Sequence, residues 1–436
     1  MLLLGALEVA LLAAVGWLPG ARGTPLPALA LWAGAFACYA AAAGSLGGSR
    51  LRADVAEGRA PALRTRDLWI VGIAARLALL PLLPHFTDDI YRYMWDGWVQ
   101  VNGVNPYVHA PAAGEIAGLR TAWHELVNHP EVRTIYPPAA QLVFAALALV
   151  GPSVWVFKGA WVVADLAAAA VLGRVAERRG SDGRLALLLY LWCPLLLVEV
   201  AWGGHLEPLG LLPMTLALGA AGSAGAAWLA LSAGVKFAPA AALPALWRRR
   251  GGRAALVFAG VAAALALPYL VGAGTAMAGG LSEYARRWSF NPGPHRLLAA
   301  LAGGADAARW TGGAAVAAVA GWAAWRRWPL GRALLWTIGA GLLASPTLHP
   351  WYLLWVLPMA ALRGSRGWIL FTGTALLGYW HYDRFLESGT WPQPAWLSAL
   401  TWAPPLLLLL ADGLRELRDG GGRRAGRETP RTTPGS

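Results

Sequence analysis

Between His85 and Tyr107 the chain reads HFTDDIYRYMWDGWVQVNGVNPY, which gathers three aspartates, one arginine and five Tyr or Trp residues between long apolar runs. Two kinds of chemistry are open to the adjacent carboxylates of Asp88 and Asp89. They can hold a divalent cation such as Mg or Mn, or one, with its pKa raised by the other, can act as a general base. The stretch reads as a helix over Thr87–Val99, with Thr87 or Asp88 capping its exposed N–H groups. Asp89, Arg92 or Tyr93, and Asp96 then fall on one face. The plainer reading is that these acids serve the helix dipole and that Asp96 simply pairs with Arg92. Tyr91, Met94, Trp95 and Trp98 fall elsewhere and suit a membrane interface. The pattern predicts a juxtamembrane helix lying flat, its acids aimed into a cavity, ended by the Gly and Pro of NGVNPY.

Three later segments carry further reactive types. EVAWGGHLEP holds Glu199, His205 and Glu207. SEYARRWSFNPGPHR holds Arg286, Arg287, Trp288 and Asn291, and SPTLHPWYLLW holds His349, Trp351 and Tyr352. Guanidinium groups fit phosphate oxygens in pairs; against that, the arginines can be read as a solvated loop and His349 as part of an aromatic belt. Lys158 and Lys236 lie in apolar runs, where charges face a cavity or a partner. Lys158 can pair with Asp165, seven residues on. Lys236 can snorkel to a headgroup or meet a lipid phosphate.

Elements that could position these residues are set by composition. The chain has 436 residues, 57% hydrophobic and 14% charged, against about 25% charged in soluble domains. Apolar runs recur along nearly its whole length, and a helix needs about 20 residues to cross a bilayer. This predicts an all-α polytopic membrane protein, with no ten-residue alternation of a β-barrel. The net charge of +13 reads as topology, not as nucleic-acid binding, because 34 of the 36 basic residues are Arg clustered in short loops. Cys38 and Cys193 lie in apolar runs and offer neither a disulfide framework nor a metal site. The first run, Met1 to Leu18, reads as a retained helix and not a cleaved signal.

With the N-terminus in the cytoplasm, helices near 3–19 and 26–46 go out and back, and the loop 48–67, with five Arg, lies inside. A helix near 68–84 then leads to a large outer loop, 85–135. Arg clusters at 174–184, 248–253, 326–332, 363–366 and 415–431 mark further inside segments. They alternate over about 12 transmembrane helices if 137–173, broken at GPS, and 207–247, broken at GSAG, each make one net crossing as broken or re-entrant segments. The alternative is that every piece crosses and 174–184 lies outside. The expected organisation is one membrane domain over 1–412, with a disordered cytoplasmic tail over 413–436, in the plasma (inner) membrane.

TDDIYRYMWDGWVQVNGVNPY, NHPEVRTIYPPAAQ, GVKFAP, YARRWSFN and SPTLHPWYLLW occur in that order. Together they resemble bacterial polyprenol-phosphate-mannose-dependent mannosyltransferases, integral membrane glycosyltransferases of the C-type (GT-C) fold, over roughly residues 68–380. The resemblance implies an active site on the outer face and a polyprenyl-phosphate hexose donor entering from the bilayer. It maps the family's reaction-centre acids onto Asp88 and Asp89, and the basic residues that meet the donor phosphate onto Arg286 and Arg287. GGHLEP departs from the pattern, with Glu207 and Pro208 where similar proteins often read Asn-Asp, so His205 is the firmer half. Such a transfer needs a base for the acceptor hydroxyl and positive charge for the departing phosphate. Asp88, Asp89 or His349 can supply the first, and Arg286, Arg287 or Arg133 the second. Trp95, Tyr107, Trp288 and Tyr352 can stack on sugar faces. The expected partners are the lipid donor and a lipid or glycan acceptor. Rival readings are a secondary transporter or lipid flippase, suggested by Lys158, Asp165 and Lys236, and a scaffold that keeps the fold without the chemistry.

Overall fold

The computed structural model describes residues 1–17, 25–47, 64–180, 183–388, 391–392 and 394–425. Among these the chain is helical with no strand; one isolated bridge pairs Phe290 with Thr347. Apolar surroundings leave backbone groups no partner but one another, and helices satisfy them within a segment. Of the expected inside loop 48–67, Arg50, Arg52 and Arg59 lie outside the described residues.

Helix lengths vary widely among the described residues. By length and composition, four described helices can cross a membrane: Leu26–Gly47, Val154–Arg178, Gly252–Arg287 and Ala395–Leu414. The bent pair Gly183–Leu191 and Pro194–Trp202, turned by 43° at its break, makes a fifth. Gly and Pro cut the others short. Helix Pro138–Val150 stops at Gly151, with φ of 152°, and Ser153 Oγ accepts from the Trp155 N–H to start Val154–Arg178. Helix Glu207–Gly219 stops before GSAG, where Gly222 has φ of +54°, and Ala224–Ala233 resumes the path. Ala395–Ala425 continues past 413 into the segment expected to be disordered; 426–436 lie outside the described residues.

Arginines close many of the turns by donating to carbonyls that helix ends leave unpaired. Arg179 donates to Leu218 O, Arg250 to Ala220 O and Gly222 O, and Arg249 to Arg327 O. Asp412 pairs with Arg366 and accepts from Ser365. A different set of contacts gathers other turns around the acidic loop. Ala139 N–H donates to Gly234 O, Asn105 Nδ2 to Tyr269 O, and Tyr269 OH to Gln100 Oε1.

The buried charges pair differently from the sequence expectation. Asp165 bonds Arg76 at 2.5 Å, both 1% exposed, not Lys158. Lys158 instead donates to Leu80 O at 2.8 Å and to Leu82 O, the open carbonyls after helix Thr65–Leu79. Seven residues separate Lys158 and Asp165 by about two turns, but Arg76 reaches Asp165 from the neighbouring helix. Trp202 Nε1 donates to Leu83 O at 2.8 Å. The connection into the acidic loop is therefore held at three carbonyls.

The acidic helix runs Asp89–Val101. Its capping contact comes from Thr87 Oγ1, which accepts from the Asp89 N–H at 3.2 Å. It packs closely on Pro138–Val150 because residue 97 is Gly: a Cβ there would lie 2.3 Å from Phe144 O. Tyr93 stacks on Phe144, centroids 5.0 Å apart. Trp95 and Tyr107 are not surface rings for sugar. Trp95 is 1% exposed in a small core with Val99, Ile116 and Val127, and Tyr107 is buried with its hydroxyl on Tyr136 O. Met94 is buried as well. The segment carrying Ile116 and Val127 folds back over Trp95, and Met94 joins the main core, so these side chains are interior and not a membrane belt.

Asp165→Ala leaves the Arg76 guanidinium without its countercharge and is expected to destabilise the protein by about 3–5 kcal/mol. Combining it with Arg76→Met should recover much of the loss. Reversible unfolding in detergent measures both; a single mutant as stable as the parent would contradict the pairing.

Candidate functional site

A cavity of about 480 Å³ opens above the acidic helix, within the range of about 300–1,000 Å³ usual for ligand sites. Four stretches far apart in sequence wall it: residues 86–92, 128–136, 284–290 and 349–352, joined by Lys236 and by aromatic rings of 379–391. Two backbone bonds lock two of these walls together, Phe290 N–H to Pro346 O at 3.1 Å and Leu348 N–H to Phe290 O at 2.7 Å. That brings the motifs YARRWSFN and SPTLHPWYLLW side by side.

Asp88 and Asp89 both line the cavity. One side-chain amide holds them: Asn128 Nδ2 donates to Asp88 Oδ1 at 2.8 Å and to Asp89 Oδ1 at 2.7 Å. Tyr93 OH donates to Asp89 Oδ2 at 3.4 Å. Burial is the main force raising the Asp89 pKa to about 6, helped by the charge of Asp88 and opposed by the Asn128 bond and the Lys236 charge. Asp88 is raised too, by burial, against its bond from Asn128. Asn128 occupies one acceptor position on each carboxylate, and among the described residues no three His, Cys, Asp or Glu are grouped to hold a metal.

Asp96 takes no part in the cavity wall. It is 1% exposed and bound by Arg92 Nε at 3.0 Å, Gln141 Nε2 at 2.8 Å and the Thr134 hydroxyl. Arg92 in turn donates to Val132 O at 2.7 Å and His129 O at 3.3 Å. The Arg92–Asp96 pair therefore clamps the loop that carries Asn128 and Arg133.

Lys236 and Arg133 line the cavity, and so does Arg287, which pairs with Glu283 at 2.9 Å. Arg286 does not line it. One residue along a helix is about 100° around it, and Arg286 is exposed with its Nε on Ser282 O. Lys236 neither snorkels nor stands free. It forms an ion pair with Glu207, which is fully buried, and lies 4.6 Å over the Tyr352 ring. Trp288 and Tyr352 also face the cavity, and Tyr352 OH bonds Tyr284 OH at 2.5 Å.

The two histidines have different places. His349 lines the cavity, stacked between Phe290 and Trp351 with centroids 4.6 and 4.4 Å away. Burial first, then the charges of Lys236 and His129, lower its pKa to about 3, which weakens it as a base near neutral pH. His205 is fully buried beneath the wall, stacked on Trp351 at 3.8 Å, and burial lowers its pKa well below the usual value. Its Nδ1 lies 3.6 Å from Asp89 Oδ2 and its Nε2 3.2 Å from Glu199 Oε2.

Sequence reasoning missed Asn128, Tyr284 and Tyr379. Asn128 opens the quoted NHPEVRTIY and Tyr284 opens YARRW, so the motifs flagged the segments without naming the working residue. Tyr379 carried no such signal. The arrangement places two carboxylates of raised pKa and several cations around one aromatic-walled space, which suits removal of a proton from a hydroxyl opposite an anionic group.

Helical architecture and a cavity of this chemistry define a glycosyl-transfer type of protein once set beside known families. Residues 2–248 match the N-terminal domain of the alpha-(1->6)-mannopyranosyltransferase family MptA_B, more than half of the chain, and the chain belongs to that family of mannosyltransferases. No curated protein and no solved structure matches it. The matched region takes in the first two helices, which the motif resemblance left out. It ends at Arg248, before the segments that carry Arg287 and His349.

Asn128→Ala removes the bond that lowers the Asp89 pKa, so Asp89 should titrate above about 6. An infrared titration of the protonated carboxyl band, with Asp89→Asn to assign it, reads the midpoint; an unmoved midpoint would contradict the Asn128 role.

Proposed function

We propose that this mannosyltransferase moves mannose from a polyprenyl-phosphate donor to a hydroxyl of a lipid or glycan acceptor on the outer leaflet, with inversion at the anomeric carbon. The observation that carries the reading is the shared cavity of Asp89 with Lys236, Arg133 and Arg287. The acceptor oxygen attacks the anomeric carbon, its proton passes to the Asp89 carboxylate, and the bond to the donor phosphate breaks. A base with a pKa near 6 is well matched to neutral pH. Preorganised cations stabilise the charge that develops on the departing phosphate. Trp288 and Tyr352 offer ring faces to the sugar. Asp88 repels charge from Asp89 and so helps keep its pKa high.

The outer-face orientation is part of the proposal. Arg179, Arg249, Arg250 and Arg366 close turns by carbonyl or carboxylate contacts, as inside loops rich in Arg would. Segment 137–173 fits one net crossing, since Pro138–Val150 packs on the acidic helix and only Val154–Arg178 is long enough to cross. Segment 207–250 fits three short passes. It starts beside Lys236, turns where Arg250 meets Ala220 and Gly222, returns to Ala139 at Gly234, and ends at Arg250. Both termini then lie in the cytoplasm. The charges that suggested a transporter are spent locally, Asp165 on Arg76 and Lys158 on two carbonyls.

Purified protein in lipid, given labelled polyprenyl-phosphate-mannose and crude lipid acceptors, tests the reading. Asp89→Asn is expected to lower transfer by about 10²–10⁴-fold. Because the carboxylate form is the base, wild-type rates should be level above about pH 6 and fall as pH drops through about 6. Transfer that ignores both the mutation and the pH would remove Asp89 from the mechanism; no transfer with any polyprenyl phosphohexose would remove the reading.

Lys236→Ala and Arg287→Ala should each raise the donor KM by about tenfold or more, the size of a charged hydrogen bond. Arg286→Ala should stay within about twofold of wild type. Steady-state kinetics against donor concentration decides this, and an equal effect of the two neighbouring arginines would count against the cavity assignment.

A further inference from the structure

Beside the cavity that holds Asp89 lies a second one, of about 310 Å³. The two share Ser289, Phe290 and Trp391, and the Phe290 and Trp391 rings, centroids 4.9 Å apart, form their common wall. The far side of the second cavity is lined by His295, Arg296 and Ala299 of helix Pro294–Ala302 and by Arg309 of helix Ala305–Trp325. The turn that follows Phe290 is fixed in an unusual form. Asn291 has φ of +48°, uncommon outside Gly, and such strain persists where the surroundings hold it, often at ligand sites. Trp402 Nε1 donates to Asn291 Oδ1 at 2.8 Å, and a Cβ on Gly293 would meet Trp402 at 2.0 Å. Arg309 is fixed as well, its Nη1 on Asp306 Oδ1 and its Nη2 on Arg286 O, both at 2.9 Å. A base and a donor phosphate call for none of this second space.

We propose that the second cavity is a saccharide subsite, which holds the sugar next to the acceptor unit and so selects a glycan chain of two or more units as acceptor. The inference rests on the transfer reading above and narrows its acceptor. The polar groups carry the choice of ligand. An anion is met by donors alone, whereas a hydroxyl both gives and takes a hydrogen bond. Arg296 and Arg309 bring donors only. His295 Nδ1 lies 2.9 Å from Ala344 O, which can only accept, so the ring hydrogen sits there and the ring, when neutral, keeps its Nε2 lone pair as an acceptor. Ser289 Oγ donates to Pro346 O at 3.4 Å and keeps its own lone pairs. Trp391 and Phe290 add ring surface for the apolar C–H faces of a pyranose. A few polar groups set among aromatic walls is the usual make-up of a small-molecule pocket. Because the wall is shared, a glycan with its terminal hydroxyl at Asp89 carries its preceding unit across Phe290 and Trp391 into the second space.

The test is transfer by the full-length protein in lipid, with labelled polyprenyl-phosphate-mannose as donor and soluble mannose oligosaccharides of one, two and three units as acceptors. Wild type is expected to show a KM for the disaccharide about tenfold below that for the monosaccharide, the worth of one or two hydrogen bonds, with little further gain for the trisaccharide. Ala299→Trp places a large ring in the second cavity, and Arg296→Ala removes a donor from its exposed side. Each should bring the two acceptor KM values to within about twofold of each other and leave the donor KM within about twofold of wild type. A structural role alone would weaken both acceptors alike. Equal KM for one and two units in wild type overturns the proposal, and so does a loss carried by donor KM. Competition by inorganic phosphate against the disaccharide, abolished in Arg296→Ala, also overturns it and marks an anion site. If Ala299→Trp does not fold, Arg296→Ala decides in the same way. An inactive wild type is the failure of the transfer reading instead. Disaccharide binding, read by saturation-transfer NMR, then decides the subsite: binding lost in Arg296→Ala supports it, and no binding by wild type overturns it.

Discussion

Two carboxylates one residue apart repel each other, and at the mouth of this bundle a single amide holds both. Asn128 gives one N–H to Asp88 and one to Asp89. Its loop has almost no regular structure to hold it in place. That task falls to Arg92, whose guanidinium binds two loop carbonyls while its Nε is held by Asp96. Asp96 is itself satisfied by Thr134 and Gln141. One helix thus supplies the acids at its start and, within two turns, the pair that places their partner. A half-satisfied polar network costs more than an apolar one, so loosening any member affects the others and the geometry at Asp89.

The apolar interior imposes a second constraint. Charge taken out of water must be compensated where it sits. Arg76 and Asp165 neutralise each other, and Lys158 is spread over two carbonyls at a helix end. Lys236 satisfies the same requirement without leaving the cavity, because its partner Glu207 lies wholly behind it. The result is an ammonium fixed in place with an open side. Such a group needs little reorganisation when an anion arrives, which is what electrostatic stabilisation of a leaving group asks of a site.

Much of this was legible in the sequence. Helical class followed from apolar runs, and the Asp88–Asp89 pair, the Arg92–Asp96 pair, Arg287 and His349 were all visible as types at suggestive spacing. What the sequence hid was direction. Adjacent Arg286 and Arg287 look equivalent as letters, yet one helical step sends only the second into the cavity. Trp95 and Tyr107 read as exposed rings because the loop that buries them has no periodicity to announce itself. Asp165 found Arg76 instead of Lys158 since a contact between helices 89 residues apart leaves no trace in local spacing. Helix length was hidden for a related cause. Apolar runs broken by Gly and Pro look like full spans until their turns are seen.

The backbone pairing of Phe290 with residues 346–348 has a consequence for how the cavity admits its ligands. Two loops 57 residues apart in the chain are joined by main-chain bonds and by the ring stack Phe290–His349–Trp351–His205. They form a single stiff jamb. Separating them breaks two hydrogen bonds and unstacks rings whose far end reaches the interior. The facing side is the 128–136 loop, which Arg92 holds through the His129 and Val132 carbonyls. The stiff jamb and the facing loop that carries Asn128 thus stand as the two sides between which any ligand of the cavity must lie.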